Sequence, residues 1–331
     1  MNRITCIGIA LTLGSMAHAD MALKHFGWLN ADYGYSTDLY ADSNGSDQLG
    51  AAQLALGTKA TLDNVSLIGV IGADAMSNGG SQTGDHIRIR DAFIDWDKIG
   101  GTGLGASFGA QPFLFGLKAS GYPGDRSIRP GIEFGGAGAV AVSRQAGPSV
   151  KLRYNAMDKA TFTVGAFDNS GNNRVGAVTP GYGSGIVDNQ FADLSFHDLG
   201  VAGAYGFVGF ERAYVGGSVD ESKPLFDGGL GYKQAFFDLS AEFIFLDPDF
   251  AGTADTENYL VAELTVMPVS KLSVYADYAR ADQLEAQTVR AGVTYQSHDI
   301  LAWTLEYSMD GRKAAAGGDA QGVNARAHVG F

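Results

Sequence analysis

The last ten residues, GVNARAHVGF (322–331), decide the fold class. Apolar and polar side chains alternate strictly here: Val323, Ala325, Ala327, Val329 and Phe331 are apolar, and Asn324, Arg326 and His328 lie between them. A period of two predicts a β-strand with one apolar and one polar face. In a soluble sandwich the apolar face packs on a second sheet. In a membrane barrel it contacts lipid, while the polar face lines a water-filled interior.

The first twenty residues, MNRITCIGIALTLGSMAHAD, predict export. Arg3 supplies a positive start, a short apolar run covers residues 4–13, and the small-x-small triplet 17–19 follows. This arrangement is typical of a secretory signal peptide, since the apolar run is too short to span a bilayer. We expect residues 1–19 to be removed and residues 20–331 to form the exported protein.

Charge and cysteine content exclude several classes of function. The formal net charge is −13, and removal of Arg3 makes it −13 − 1 = −14. A chain this acidic is a poor partner for nucleic acid, whose binding depends on neutralising phosphates. Cys6 is the only cysteine and lies in the predicted leader, so the exported chain has no disulfide and no thiol-ligated metal. We expect no cofactor.

Alternating segments of roughly 8–13 residues fill the rest of the chain, close to the length of a tilted membrane strand. Their junctions alternate between short ones, such as TLDNVS and AMDKAT, and long polar ones, such as STDLYADSNGSDQ. No segment approaches the roughly 20 apolar residues of a membrane helix. Aromatic residues cluster near segment ends, as at Trp96, Tyr295 and Tyr307. Together these features predict an all-β, antiparallel transmembrane barrel rather than a sandwich.

The number of strands is less directly encoded. About 18 alternating segments can be counted in the sequence. An exported chain of 331 − 19 = 312 residues suits 16 strands better, so we predict 16, with 18 as the alternative. Two segments within residues 200–234 are then expected to form one strand or a loop.

Several segments resemble Gram-negative trimeric porins. HFGWLNADYGY (25–35) resembles the opening strand of these proteins, and RIRDAFIDWDKIGGTGLGASFGAQPFLFG (88–116) resembles a porin strand pair. GYPGDRSIRPGIEFGG (121–136) is similar to the loop that porins fold into the pore. The terminal Phe331 resembles the signal read by the outer-membrane assembly machinery. The resemblance implies a homotrimer in the outer membrane, in contact with its lipid and lipopolysaccharide, with a constriction loop at residues 114–135.

The resemblance also implies where selectivity resides. The porin mechanism is a water-filled lumen in which charged side chains at a constriction set ion preference. Alternation with Val150, Leu152 and Tyr154 predicts that Lys151 and Arg153 point inward. The wall candidates are Arg88, Arg90, Arg144, Lys151 and Arg153, and the loop candidates are Asp125, Arg126, Arg129 and Glu133. The expected function is passive diffusion of ions and small hydrophilic solutes.

Three alternatives stay open at this level. Arg126 and Arg129 also resemble the phosphate-selective porins, so a substrate-selective anion channel is one alternative. A structural or adhesive barrel with a plugged lumen is another. An enzyme is the third, but the histidines are scattered, and neither a G-x-S-x-G nor an H-E-x-x-H motif is present. We therefore predict that the protein is not an enzyme.

Overall fold

The chain forms sixteen antiparallel strands. The computed structural model describes residues 21–37, 46–75, 87–112, 117, 146–167, 189–214, 222–246, 257–282, 286–312 and 320–331, so the predicted leader lies outside the described residues. The strands are β1 (Ala22–Thr37), β2 (Ser46–Leu62), β3 (Val65–Ala75), β4 (Ile87–Trp96), β5 (Leu104–Pro112), β6 (Ala146–Ala156), β7 (Ala160–Phe167), β8 (Asn189–His197), β9 (Ala204–Tyr214), β10 (Ser222–Lys233), β11 (Phe237–Leu246), β12 (Glu257–Val269), β13 (Leu272–Ala281), β14 (Ala286–His298), β15 (Leu301–Arg312) and β16 (Ala320–Gly330). No helix in the described part of the chain is long and apolar enough to cross a membrane.

The sheet closes on itself. Each strand pairs with its neighbours in sequence, and β1 pairs with β16 in the register Trp28↔Gly330 to Thr37↔Gln321. The terminal residue completes the seam: the Phe331 N–H donates to the Gly27 carbonyl at 3.0 Å, and the Gly27 N–H donates to the Phe331 carbonyl at 2.9 Å. Closure leaves no edge strand unpaired. The prediction of a 16-stranded all-β barrel is confirmed.

The alternative of 18 strands is wrong. In the 200–234 region the segment RAYVGGSV is not a strand of its own, because Arg212 and Tyr214 continue β9 and pair directly with β10. The segment GAVAVSRQ (138–145) lies outside the described residues, between β5 and β6, which pair with each other. The described strands therefore close the barrel at sixteen.

Connections between strands alternate in length as the sequence predicts. At one end of the barrel, two or three residues join β2 to β3, β6 to β7 and β14 to β15. At the other end, residues 113–145 separate β5 from β6. Left-handed backbone at Asp63 in the β2–β3 turn, and at Met157 and Asp158 in the β6–β7 turn, makes these two turns tight. Both chain ends of the barrel, Ala22 and Gly330, lie at the short-turn end.

The two faces of the sheet differ in chemistry. Every strand places at least one large apolar side chain on the outer face, as with Leu152, Leu264 and Val293. Exposed aromatic rings mark the short-turn end, including Trp96, Trp303 and Phe331. An apolar band bordered by aromatic rings is what a barrel surrounded by lipid requires.

The turn between β8 and β9 yields a stability prediction. The Asp198 Oδ1 accepts the Gly203 N–H at 2.6 Å, and this bond, followed by the hydrogen bond with His197, lowers the pKa of Asp198. A carboxyl group whose pKa is lower in the folded than in the unfolded state stabilises the fold at pH values above the ordinary aspartate pKa. This stabilisation is lost as the pH falls through the lowered pKa. Asp198→Ala is therefore expected to lower the unfolding temperature at pH 7, measured from heat-dependent gel mobility.

Asp158 provides the matched control. Its φ of 52° is almost the same as the 53° of Asp198, so alanine carries the same backbone strain at both sites. Among the described contacts Asp158 makes no side-chain hydrogen bond. We expect Asp158→Ala to lower the unfolding temperature less than Asp198→Ala does at pH 7. The difference between the two variants should narrow below about pH 4. If both variants lowered the unfolding temperature equally at pH 7, the Asp198–Gly203 hydrogen bond would not be the cause.

Candidate pore wall

The inner face of the barrel is rich in charge. Inward side chains are largely buried and alternate with the exposed apolar side chains of the outer face. Among described inward side chains the acids are Asp91, Asp95, Asp193, Glu211, Asp227, Asp238, Glu242, Glu263, Asp277 and Glu306, and the bases are Lys24, Lys59, Lys151, Arg153, Lys233, Arg290 and Arg326. Charges at this density on an inner wall are typical of a lumen that contains water.

Carboxylates are concentrated on one side of the wall. Each strand from β8 to β13 carries an inward acid at mid-strand, and we call this set the acidic wall: Asp193, Glu211, Asp227, Glu242, Glu263 and Asp277. Glu263 and Asp277 are paired directly across β12 and β13, and Asp277 is in turn paired with Arg290. The inward base described on these strands, Lys233, lies at their short-turn end. The described inward side chains of β8–β13 therefore include more acids than bases.

Arg153 is neutralised by acids two strands away. Its Nη1 lies 2.7 Å from Asp95 Oδ1, and its Nη2 lies 3.7 Å from Asp97 Oδ1. The guanidinium reaches β4 because the residue paired with Arg153 on β5 is Gly105, where a Cβ would lie only 2.9 Å from Nε. The glycine thus permits the close approach. Lys151, on the same face of β6, contributes an attractive charge to Asp193, which is also hydrogen-bonded by Thr163.

The same crossing occurs elsewhere on the wall. Tyr275 on β13 donates from its hydroxyl to Glu306 Oε2 on β15 at 2.6 Å, across Gly292 of β14. The other oxygen of Glu306 lies 3.8 Å from Arg290 Nη1. In both cases polar side chains link strands that are not neighbours across a glycine of the strand between them.

One part of the inner face is apolar. Trp28, Ala55, Ile68 and Val70 are buried there on β1–β3, with Phe26 and Phe93 packed against them. Trp28 is only 5% exposed, and its pair on β2, Ala55, is 1% exposed. An apolar patch thus lies on β1–β4, whereas on β8–β13 the acidic wall is interspersed with buried apolar side chains such as Ile244 and Tyr259.

A residue from outside the strands also lies against the inner face. Leu117 follows β5, and its N–H donates to Glu242 Oε1 at 2.9 Å on β11. A Cβ at Gly229 of β10 would lie 3.0 Å from Leu117 Cδ2. Leu117 belongs to residues 114–135, the predicted constriction loop. The rest of that range lies outside the described residues, so the infolded loop stays a prediction.

The residues that the sequence singles out are placed unevenly. Lys151 and Arg153 alternate with exposed Val150, Leu152 and Tyr154. Arg88 pairs with Gly72, and Arg90 falls at a register shift where Ile71 pairs with Ile89 and Val70 with Asp91. Because of this bulge, simple alternation does not carry through β4. Asp125, Arg126, Arg129, Glu133 and Arg144 lie outside the described residues.

The acidic wall was missed by sequence reasoning. Its signal was present, since Asp227, Glu242 and Asp277 each interrupt an apolar strand at an inward position. Within the described residues, no group of three His, Asp or Glu side chains is placed to hold a metal ion.

Comparison with known proteins supports the fold. No family model matches the chain, and no curated protein matches its sequence. Among solved structures, it is similar to the outer membrane channel DcaP of Acinetobacter baumannii, with a TM-score of 0.65 and 14% identity over 94% of this chain and 97% of that one. An anion-selective porin from Comamonas acidovorans gives a TM-score of 0.66 and 13% identity over 94% and 100%.

A third similar structure is the trimer form of OmpT, an outer membrane protein of Vibrio cholerae, with a TM-score of 0.58 and 13% identity over 95% and 100%. All three alignments span nearly the whole of both chains, so the likeness concerns the complete barrel. The protein therefore has the sixteen-stranded barrel fold of the outer-membrane porins.

Proposed function

We propose that this protein is an outer-membrane channel for passive diffusion of ions and small hydrophilic solutes. One observation carries the proposal: a closed barrel with an apolar outer face has an inner face lined with acids and bases. A polar inner face in a lipid-embedded barrel requires water inside, and a continuous water path conducts ions. The proposal needs no cofactor, no energy source and no catalytic activity.

Single-channel recording of the detergent-purified protein in a planar bilayer tests this function. We expect stepwise increases of current in KCl, with conductance that does not saturate at moderate salt. A silent bilayer, with a barrel shown to be folded by heat-dependent gel mobility, would overturn the channel and favour a plugged structural barrel. Saturable conductance blocked by one solute would favour the substrate-selective alternative.

The charge of the described wall favours cations. Ten described inward acids face seven described inward bases, and Arg153 is paired with Asp95 at 2.7 Å. Partly exposed carboxylates of this wall, such as Glu263 and Glu306, raise the local concentration of cations and exclude anions. We therefore place cation preference ahead of an anion or phosphate preference. The similar Comamonas porin is anion-selective, but at 13% identity the likeness concerns the fold only.

Our proposed selectivity residues remain Arg88, Arg90, Asp125, Arg126, Arg129, Glu133, Arg144, Lys151 and Arg153. Arg153→Gln is expected to raise cation preference only slightly, because its charge is already balanced by Asp95 and Asp97. A large change would mean that the guanidinium faces the ion path.

Assembly and location complete the proposal. We propose a homotrimer in the outer membrane after removal of residues 1–19, with Phe331 as part of the assembly signal. The trimer form of the similar OmpT structure and the porin resemblance support the oligomer. We expect the conductance to rise in groups of three steps as each trimer inserts into the bilayer.

A further inference from the structure

Arg153 lies on β6 with acidic side chains two strands away in either direction. Its paired residue on β5 is Gly105, and beyond β5, on β4, lies Asp95. Its paired residue on β7 is Thr163, which is paired in turn with Asp193 on β8. The guanidinium binds on the β4 side, where its Nη1 lies 2.7 Å from Asp95 Oδ1.

The two directions differ in the residue that the guanidinium has to cross. A Cβ at Gly105 would lie 2.9 Å from Arg153 Nε and 3.2 Å from its Cγ and Nη2, so the arginine side chain occupies the space that the glycine leaves. Thr163 has a branched side chain that is hydrogen-bonded to Asp193, so the equivalent space on the opposite side is occupied. Glycine on one side and threonine on the other therefore direct the guanidinium toward β4.

The partners on β4 hold the charge of Arg153 at the wall. Asp97 Oδ1 lies 3.7 Å from Nη2, in addition to the contact with Asp95. The side chains of Arg153 and Asp95 are 24% and 23% exposed, so the pair borders the lumen. Opposite charges at this separation largely cancel in the field that acts on a more distant ion. Because the arginine side chain is longer than that of aspartate, a displaced guanidinium carries its charge away from the wall and into the lumen.

We propose that Gly105 is a positioning residue for ion selectivity: the space above it directs the Arg153 guanidinium across β5 onto Asp95 and Asp97, and so withholds a positive charge from the ion path. This inference rests on the proposed channel function. Gly105 is itself uncharged, so its effect on selectivity acts entirely through Arg153. A side chain at position 105 is expected to release the guanidinium and to weaken the cation preference.

Gly105→Ala, recorded in a planar bilayer under a KCl gradient, tests the effect on selectivity. A unit charge about 4 Å from an ion in water changes the local ion concentration roughly fivefold, so we expect the potassium-to-chloride permeability ratio to fall about twofold or more. The barrel is expected to fold, because Gly105 has no positive φ and the three atoms nearest to the new Cβ belong to the flexible side chain of Arg153.

The dependence on Arg153 separates this role from a merely structural one. In the Arg153→Gln background, Gly105→Ala displaces no charge, so the reversal potential is expected to stay as it is in Arg153→Gln alone. An equal shift with and without Arg153 would overturn the positioning role, because the alanine would then act through another group.

Gly57→Ala is the matched control. Gly57 is an inward glycine of β2, and the three atoms nearest to a Cβ there all belong to the ring of Phe26, its pair on β1. The same substitution thus displaces a neutral side chain from the same kind of position. We expect the reversal potential of the wild-type protein. A shift as large as that of Gly105→Ala would overturn the assignment to Gly105.

Labelling with phenylglyoxal, which modifies accessible guanidinium groups, follows Arg153 without requiring conduction. Mass spectrometry of the labelled and digested barrel measures the rate at each arginine. Gly105→Ala is expected to raise the rate at Arg153 about tenfold, as loss of a hydrogen bond between two charged groups predicts. Arg290 on β14, which lies 3.8 Å from Glu306, is the internal reference whose rate should not change. An unchanged rate at Arg153 would overturn the displacement.

Heat-dependent gel mobility shows whether each variant has folded. If Gly105→Ala folds only when Arg153→Gln is added, the guanidinium has no other place in the lumen, and the selectivity role is overturned. If neither variant folds, the alanine meets more than Arg153, and the proposal fails as well. A silent wild-type bilayer with faster labelling of Gly105→Ala would overturn the channel function, and the selectivity role with it, while the position of the guanidinium over Gly105 stood.

Discussion

Val293→Arg is expected to cost the folded barrel about 2–4 kcal/mol, as arginine does at the lipid face near the membrane midplane. Val293 lies near the middle of β14, is 41% exposed, and pairs with the outward Val274 and Leu305. The guanidinium would therefore be placed among aliphatic side chains in lipid. Urea-dependent folding into phospholipid vesicles, followed by tryptophan fluorescence and gel mobility, measures the loss.

The next residue gives the control for Val293→Arg. Thr294 points inward, where its Oγ1 lies 2.9 Å from Thr304 Oγ1. Thr294→Arg loses that hydrogen bond, worth about 1 kcal/mol, but its charge remains in the polar interior. We expect it to fold at clearly higher urea concentrations than Val293→Arg. The reverse order would mean that the two faces of β14 are exchanged and that the outer face is not in lipid.

Neutralising carboxylates of the inner wall is expected to shift ion preference strongly toward anions. Glu263 and Glu306 are inward and half-buried on β12 and β15, close to the row that carries Asp277 and Arg290. A unit charge acts on an ion about 4 Å away in water with about 1 kcal/mol, or roughly fivefold in local ion concentration. The double variant Glu263→Gln with Glu306→Gln should therefore change the potassium-to-chloride permeability ratio several-fold. The reversal potential under a KCl gradient measures it.

Arg290→Gln tests the same idea with the opposite sign. Arg290 lies 3.8 Å from Glu306, so its removal leaves that carboxylate less compensated and should increase cation preference. Asp198→Asn removes one negative charge at a turn outside the inner wall and should leave the reversal potential nearly unchanged, since salt screens distant charges. A double glutamine variant with the wild-type reversal potential would show that the ion path avoids β12–β15.

Alternation predicted the barrel and the facing of Lys151 and Arg153, whereas the length of the exported chain favoured 16 strands over the 18 segments that alternate. Lys151 and Arg153 lie inward between Val150, Leu152 and Tyr154, as the period of two indicates. The prediction was less useful where the register shifts: at the bulge in β4, Ile89 and Asp91 take opposite faces although they are two residues apart. A bulge adds a residue to one strand, and only the pairing with β3 reveals it.

The apolar patch also lay beyond prediction. Trp28 and Val70 belong to strands that alternate normally, and their inward positions are apolar where a polar lumen was expected. Nothing within either strand shows that both meet on one side of the interior. That depends on the order of strands around the barrel, which places β1 and β3 on either side of β2.

The sequence by itself determined which face of most strands meets lipid, because outward residues within the apolar band contact hydrocarbon and are apolar whatever their neighbours. It also determined the alternation of short and long connections, since turn residues act locally. Tertiary structure alone decided which inward groups meet. Arg153 reaches Asp95 because Gly105 lies between them, and Leu117 reaches Glu242, 125 residues away, because the barrel closes around both. Such contacts depend on register and closure, which are set by pairing between segments far apart in the chain.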